Sequence, residues 1–412
     1  VENLLWLHDS VPQATRDRSR LWYDGARKIS ERFTEEYGIE TQSAAGALAA
    51  LSPQMDWFKN VSLAERVIDI AVNQSNKKFD KKMETWWKEW GEEQHKAAVD
   101  NAVKKEIAAL KKDGKPFDEV AIRERISEQK KHHLHLNELN VLKGKTFSQL
   151  DGNYRAYFVR AFDEVYNSRD YHVVAPEGNA MGFVTKDDGG RAGAGWGSMR
   201  EIDKAIRVVL DPSKKNISEN VGAQHKVRNF YNNILLPNAV DNAVTIDTHA
   251  VAAALLQPLA GKDTAVAHNL GGAASSSDTG ARGTYGILAE AYRRAAAERG
   301  LLPREMQSIT WEAVRGLYSA KWKRNKKNKL AIDNIWKEYE NGRSGIEETR
   351  QAIIDEAGGI TPPDWERSGG GTPNQGQRGG DAGELSPSGL RGQSEQAGGT
   401  VGRGEDAGAG GD

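Results

Sequence analysis

Three short polar segments hold the residues whose types could do chemistry. The first is Leu51-Ser52-Pro53-Gln54-Met55-Asp56-Trp57-Phe58-Lys59-Asn60, the second Val221-Gly222-Ala223-Gln224-His225-Lys226-Val227-Arg228-Asn229-Phe230, and the third Val244-Thr245-Ile246-Asp247-Thr248-His249-Ala250. A carboxylate such as Asp247 can stabilise developing positive charge or orient and deprotonate water. An amine such as Lys226 can attack an electrophilic carbon. Each residue also has a plain structural reading. Asp247 follows a β-branched run and precedes an apolar helix, as a helix N-cap does. Gly222 and Lys226 fit a turn entering a helix with the lysine in solvent, and Gln54 fits a first-turn residue after Pro53.

Other clusters carry less. His132, His133 and His135 suggest metal, but two are adjacent and the only acidic partner in helical register is Glu138, so a charged surface face is the better reading. The run Lys321-Trp322-Lys323-Arg324-Asn325-Lys326-Lys327-Asn328-Lys329 has six basic residues in nine. It suits phosphate contact, with counterion release, or equally a solvated helix end. Trp311, on a helix with Gln307 and Arg315, reads as core rather than base-stacking. Residues 189–197, Gly-rich and containing Trp196, read either as a flap or as a connector. No P-loop, dinucleotide fingerprint or HExxH is present.

Composition narrows the classes. The 412 residues carry Lys+Arg 57 against Asp+Glu 58, a formal charge of −1, so nucleic-acid binding would have to come from local patches. Zero Cys excludes disulfides, thiolate zinc sites, iron–sulfur clusters and cysteine nucleophiles, and no cofactor is implied. No apolar run approaches the ~20 residues that span a bilayer. A cytoplasmic protein with no membrane partner is expected. The start at Val1 rather than Met, with a Gly-rich end, points to a piece of a longer polypeptide whose other domains would be partners.

The positioning elements are mainly helical. Apolar spacing predicts helices within 1–73, with 44–51 ending before Pro53 and another over 61–72. Residues 74–145 are rich in Lys and Glu and read as a projecting helical insertion, with helices over 97–110 and 117–130. Residues 146–257 hold the second and third segments. Short strands are expected near 171–174 and 181–185, and helices over 198–210, 225–234 and 248–256. Residues 258–367 hold helices over 285–299, 304–318, 330–339 and 346–357, with Gly300 and Pro303 as stop and restart signals. From 368 to 412 the chain has 16 Gly and no aromatic residue, which predicts a disordered tail.

In order and residue type, the three segments resemble the helix-hairpin-helix DNA glycosylase superfamily, particularly its endonuclease III-like branch. Leu51, Ser52, Gln54, Asp56 and Asn60 resemble the early L-S-x-Q-x-x-D-x-x-x-N pattern. Gly222 and Lys226 match the first Gly and the Lys of the hairpin, and Ile246-Asp247-Thr248-His249 matches the V-D-T-H segment. The likeness covers about a fifth of the chain and implies a two-lobed, mainly α fold. It also implies cleavage of the N-glycosidic bond of a damaged or modified base in DNA. Asp247 would stabilise the oxocarbenium-like sugar and position water. Lys226 would be the alternative amine nucleophile. Gln54 would fill the stack vacated by the flipped base. Gly222 and Ala223 would hold a phosphate, and Asn60 and His249 would shape the site. Beyond the resemblance, Lys321, Lys323, Arg324, Lys326 and Lys327 would touch DNA. The sequence departs from the pattern at Gln224, which replaces the hairpin's second Gly, and at Ser218-Glu219-Asn220, where Leu-Pro-Gly would stand. It also lacks the four-Cys cluster loop, and simple base hydrolysis is the expected reaction. The alternatives are an enzyme processing hypermodified bases in phage DNA on the same fold, or a non-catalytic DNA-binding or structural module. The setting expected by analogy is a bacterial or phage-infected cell.

Overall fold

The computed structural model describes residues 1–186, 188–269 and 284–368. Apart from Ser368, the expected disordered tail over 368–412 lies outside the described residues, as do 270–283. The described chain is mainly helical. It opens with α1 (Glu2–Ser10), α2 (Gln13–Ser19), α3 (Trp22–Tyr37), α4 (Thr41–Leu51) and α5 (Trp57–Val72). Next come α6 (Lys81–Lys112), α7 (Glu119–Gln129), α8 (Leu136–Leu142) and α9 (Gly152–Tyr166). The antiparallel strands β1 (His172–Val174) and β2 (Ala180–Phe183) follow. After them come α10 (Met199–Leu210), α11 (Lys214–Val221), α12 (His225–Leu235), α13 (Thr248–Leu255) and α14 (Thr264–Asn269). The described chain closes with α15 (Thr284–Arg299), α16 (Pro303–Leu317), α17 (Ala320–Arg324), α18 (Lys326–Glu340), α19 (Ile346–Ala357) and α20 (Asp364–Ser368).

Aspartates start many of these helices. Asp56, Asp80, Asp118 and Asp247 each accept first-turn N–H groups that have no intrahelical partner. The cap at Asp56 starts α5 four residues before the helix expected from 61. The cap at Asp80 starts α6 far upstream of 97, making one 32-residue helix in which Met83 and Trp87 anchor the start. Abundant Lys and Glu hid that continuity, because they flatten the apolar period on which a sequence reading depends. Helices α6 and α7 close on a small apolar cluster of Val99, Val103, Ile122 and Ile126.

Two larger hydrophobic cores organise the rest. One gathers α3, α4, α5, α9, α10 and α12 around Leu48, Ile68, Phe158 and Ile206. Small side chains let α4 sit at its centre, where residues 43–51 are all buried. The other gathers α1, α13, α15 and α16 around Leu7, Val251, Tyr292 and Val314. Helix α16 belongs to both, with Met306, Ile309 and Val314 in the second core and Trp311 in the first. A polar helix face between two cores has little access to bulk water, and the candidate site lies there.

Close backbone approach fixes the β1–β2 turn against α3. A Cβ at Gly25 would lie 2.1 Å from the Pro176 carbonyl oxygen and 2.6 Å from the Gly178 nitrogen. Gly25→Ala is therefore expected to destabilise by about 1–3 kcal/mol despite alanine's better helix propensity. Gly286 in α15 has open space around it, and Gly286→Ala should stabilise by up to about 1 kcal/mol. Thermal melts of the two variants should move in opposite directions.

Candidate functional site at the junction of the two cores

The three polar segments converge on one cavity. Its lining includes Ser52 and Met55 from the first segment, Lys226 and Phe230 from the second, and Thr245 and Asp247 from the third. Trp22, Tyr23 and Trp57 add one wall, and Gln307, Ser308 and Trp311 of α16 add another. The space between these walls is about 480 Å³ with the open mouth included. Aromatic rings dominate the wall. The Trp22 and Trp57 centroids are 4.4 Å apart, Trp311 meets Trp22 edge-on at 5.5 Å, and Phe230 meets Trp57 edge-on at 6.1 Å.

Asp247 serves as a cap without being used up by that role. One carboxylate oxygen accepts the Ala250 N–H at 2.8 Å and so starts α13. The other has no hydrogen-bond partner among the described residues, and the residue lines the cavity. The two readings of Asp247 in the sequence are thus compatible, since the cap holds the carboxylate in one orientation.

Lys226 sits on the first turn of α12 and is half-buried rather than solvated. Its ammonium donates to the Ser52 carbonyl at 3.2 Å, tying the second segment to the first. Burial pushes its pKa below the ordinary lysine value, and nearby Asp247 opposes that shift. Gln54 is exposed on the loop between α4 and α5 and has φ +57°, a left-handed conformation that costs a non-glycine residue about 1–2 kcal/mol. The end of that loop is fixed electrostatically. Arg315 reaches Asp56 at 3.4 Å, Asp364 at 3.5 Å and Glu312 at 3.7 Å, and its guanidinium lies 4.3 Å from the Trp311 ring centroid.

Several expected site residues sit elsewhere or act otherwise. Asn60 is buried between α4 and α5 and donates to the Leu48 carbonyl at 2.9 Å, so it braces helices and offers nothing to DNA. The Gly222 N–H is spent on the Ser218 carbonyl at 2.8 Å, closing α11, and is not free for a phosphate. Ala223 is exposed in the three-residue turn between α11 and α12. Trp311, expected in the core, is buried but forms part of the cavity wall. Residues 189–197 are pinned rather than hanging free: the Trp196 indole donates to Asp163 at 2.8 Å, and Ala194 N donates to the Arg169 carbonyl at 2.7 Å. His135 lies against Trp90, ring centroids 4.9 Å apart, on the α6–α9 side.

Lys321, Arg324, Lys326 and Lys327 are exposed around the α17–α18 corner, while Lys323 is half-buried. Burial lowers the Lys323 pKa, and Asp247 is the foremost charge opposing it, so this corner adjoins the carboxylate. His249 packs edge-on to Trp311 at 5.9 Å. Burial brings its pKa down to about 4, against the opposing influence of Asp247. The unfolded chain takes up this proton near 6.5 and the folded chain only near 4. Stability from this residue is therefore complete above pH 6.5 and lost as pH falls towards 4. Replacing His249 with Gln should flatten the corresponding slope in urea midpoints measured from pH 7.5 to 4.5.

The α3 and α16 residues were not singled out from the sequence as site residues. A signal existed in α16: Arg304, Gln307, Ser308, Trp311 and Arg315 recur at helical spacing on a helix otherwise fit for a core. A polar and aromatic stripe on a buried helix marks an internal surface.

No helix of the described residues is long and apolar enough to cross a membrane. No curated protein and no solved structure matches the chain. Residues 1–117 and 185–318 match the profile of a family of unknown function, DUF7178, and those stretches contain every residue lining the cavity. With well over half of its length matched, the chain belongs to the DUF7178 family.

Proposed function

We propose that the protein is a DNA base glycosylase-like hydrolase on a helix-hairpin-helix plan. The observation that carries this reading is the convergence of Ser52, Lys226 and Asp247, distant in sequence, on one aromatic-walled cavity. Further support comes from the helix–turn–helix of α11 and α12 and from the position of Asp247 at a helix start. A flipped base would lie among the aromatic rings with its sugar towards Asp247. As the C1′–N bond breaks, the free carboxylate oxygen faces the positive charge on the sugar. Water then forms the new C1′–O bond and its proton leaves with the base nitrogen. Gln54, held outward on its loop, would fill the emptied stack, and the exposed lysines of the α17–α18 corner would meet phosphates.

A second reading draws on the bond from Ala250 to Asp247: a capping role alone accounts for this aspartate in a DNA-binding module without catalysis. Incubating the protein with damaged, uracil-containing and phage-modified DNA and identifying released bases by mass spectrometry separates the two. Release of a free base is expected. DNA binding with no release from any substrate would leave the module reading in its place.

A further inference from the structure

We infer that the cavity selects a base whose edge accepts hydrogen bonds, one bearing ring carbonyls, over a base presenting exocyclic amines. This rests on the glycosylase-like reading for the claim that the ligand is a base. The selection itself follows from how the polar groups are spent. The buried Tyr23 hydroxyl donates to Gln307 Oε1 at 3.0 Å. Thr245 and Asn233 adjoin the Tyr23 hydroxyl, and Asn233 donates to the Thr245 hydroxyl at 3.1 Å. This chain fixes which way the Gln307 amide faces. Its carbonyl is occupied, and its Nε2 has no partner among the described residues although the residue is buried and lines the cavity.

The lysine in the lining tilts the same way. Lys226 uses one N–H on the Ser52 carbonyl, which also occupies that acceptor, and keeps donors to spare. The Ser308 hydroxyl spends its hydrogen on the Arg304 carbonyl at 2.8 Å and keeps a neutral acceptor oxygen, and the Ser52 hydroxyl, which has no partner among the described residues, can turn either way. The charged acceptor left in the lining is the second oxygen of Asp247, which the proposed reaction reserves for the sugar. An amino edge would set N–H against N–H and leave the Gln307 and Lys226 donors without acceptors, whereas a carbonyl satisfies them.

Hypoxanthine and adenine differ in this respect at C6 and N1 and make a matched pair of probes. In equilibrium dialysis of the full chain, hypoxanthine should bind at least about tenfold more tightly than adenine, the equivalent of one well-made hydrogen bond to a charged or buried donor. Gln307→Glu, which turns a donor into an acceptor, should reduce or invert that ratio. Gln307→Leu, which removes the donor without adding charge, should erase it if the glutamate variant does not fold. Equal or tighter binding of adenine by the wild type, no binding of either base, or an unchanged ratio in a folded variant would overturn the inference. Failure of the hydrolase reading looks different: selective binding of hypoxanthine with no base released from any DNA sinks that reading and leaves the selectivity standing. Release of adenine in preference to carbonyl-bearing bases does the reverse.

Discussion

Asp247→Asn is expected to lower base release by about a thousandfold or more while leaving the fold unchanged, because the substitution separates the two roles of this side chain. Asparagine keeps an oxygen that can accept the Ala250 N–H and is as good a helix N-cap as aspartate. What it loses is the negative charge facing the cavity. Charge stabilisation and base catalysis each contribute about 10²-fold or more when supplied by one positioned group, and here a single carboxylate would supply both. Asp247→Ala should add a stability cost of about 0.5–2 kcal/mol from the lost cap. The measurement is single-turnover base release alongside thermal melting for all three proteins. Full release by the Asn variant would remove Asp247 from the chemistry and leave it as a cap.

The largest stability effect is expected at Arg66, which is 1% exposed inside the first core. Its guanidinium donates to the Asp163 carboxylate at 3.2 Å and to the Asp170 carbonyl at 3.0 Å. Asp163 also accepts from the Trp196 indole at 2.8 Å and from Asn167 at 2.8 Å. One buried ion pair thus fastens α5 to α9, to the approach of β1 and to the segment leading into α10. Arg66→Met fills similar volume but strands a carboxylate in an apolar interior. Removing one partner of such a pair costs about 3–5 kcal/mol, which for a chain of this size lowers the melting temperature by roughly 4–6 °C. The double variant Arg66→Met/Asp163→Asn should recover part of the loss, because no charge is then orphaned. A melting temperature unchanged in the single variant would show that the pair contributes little.

Much of the helical order was legible in the residues themselves. The helix expected over 346–357 has those bounds in the structure, and Gly300 and Pro303 do separate α15 from α16. Charged segments were harder: α6 is continuous from Lys81, yet its Lys and Glu concealed the half nearer the core. The polar segments around Gln54, Lys226 and Asp247 could be picked out because each couples a turn or cap signal with an unusual polar residue. Asn60 and Gly222 share those segments but are bonded within the fold, and nothing local says that an amide is turned into a helix interface or that an N–H is already spent.

The amino-acid sequence by itself determined the mainly helical class, the cap at Asp247 and the three polar segments, because helix formation and capping are settled by neighbours within a few residues. Only the tertiary structure decided that Trp22 and Tyr23 of α3 and Gln307 and Trp311 of α16 meet Lys226 and Asp247 around one cavity. It also decided that Lys226 points inward to Ser52. Those contacts join residues up to 289 positions apart, Trp22 and Trp311. They depend on which helix faces two hydrophobic cores bury against each other, and no local periodicity records that choice.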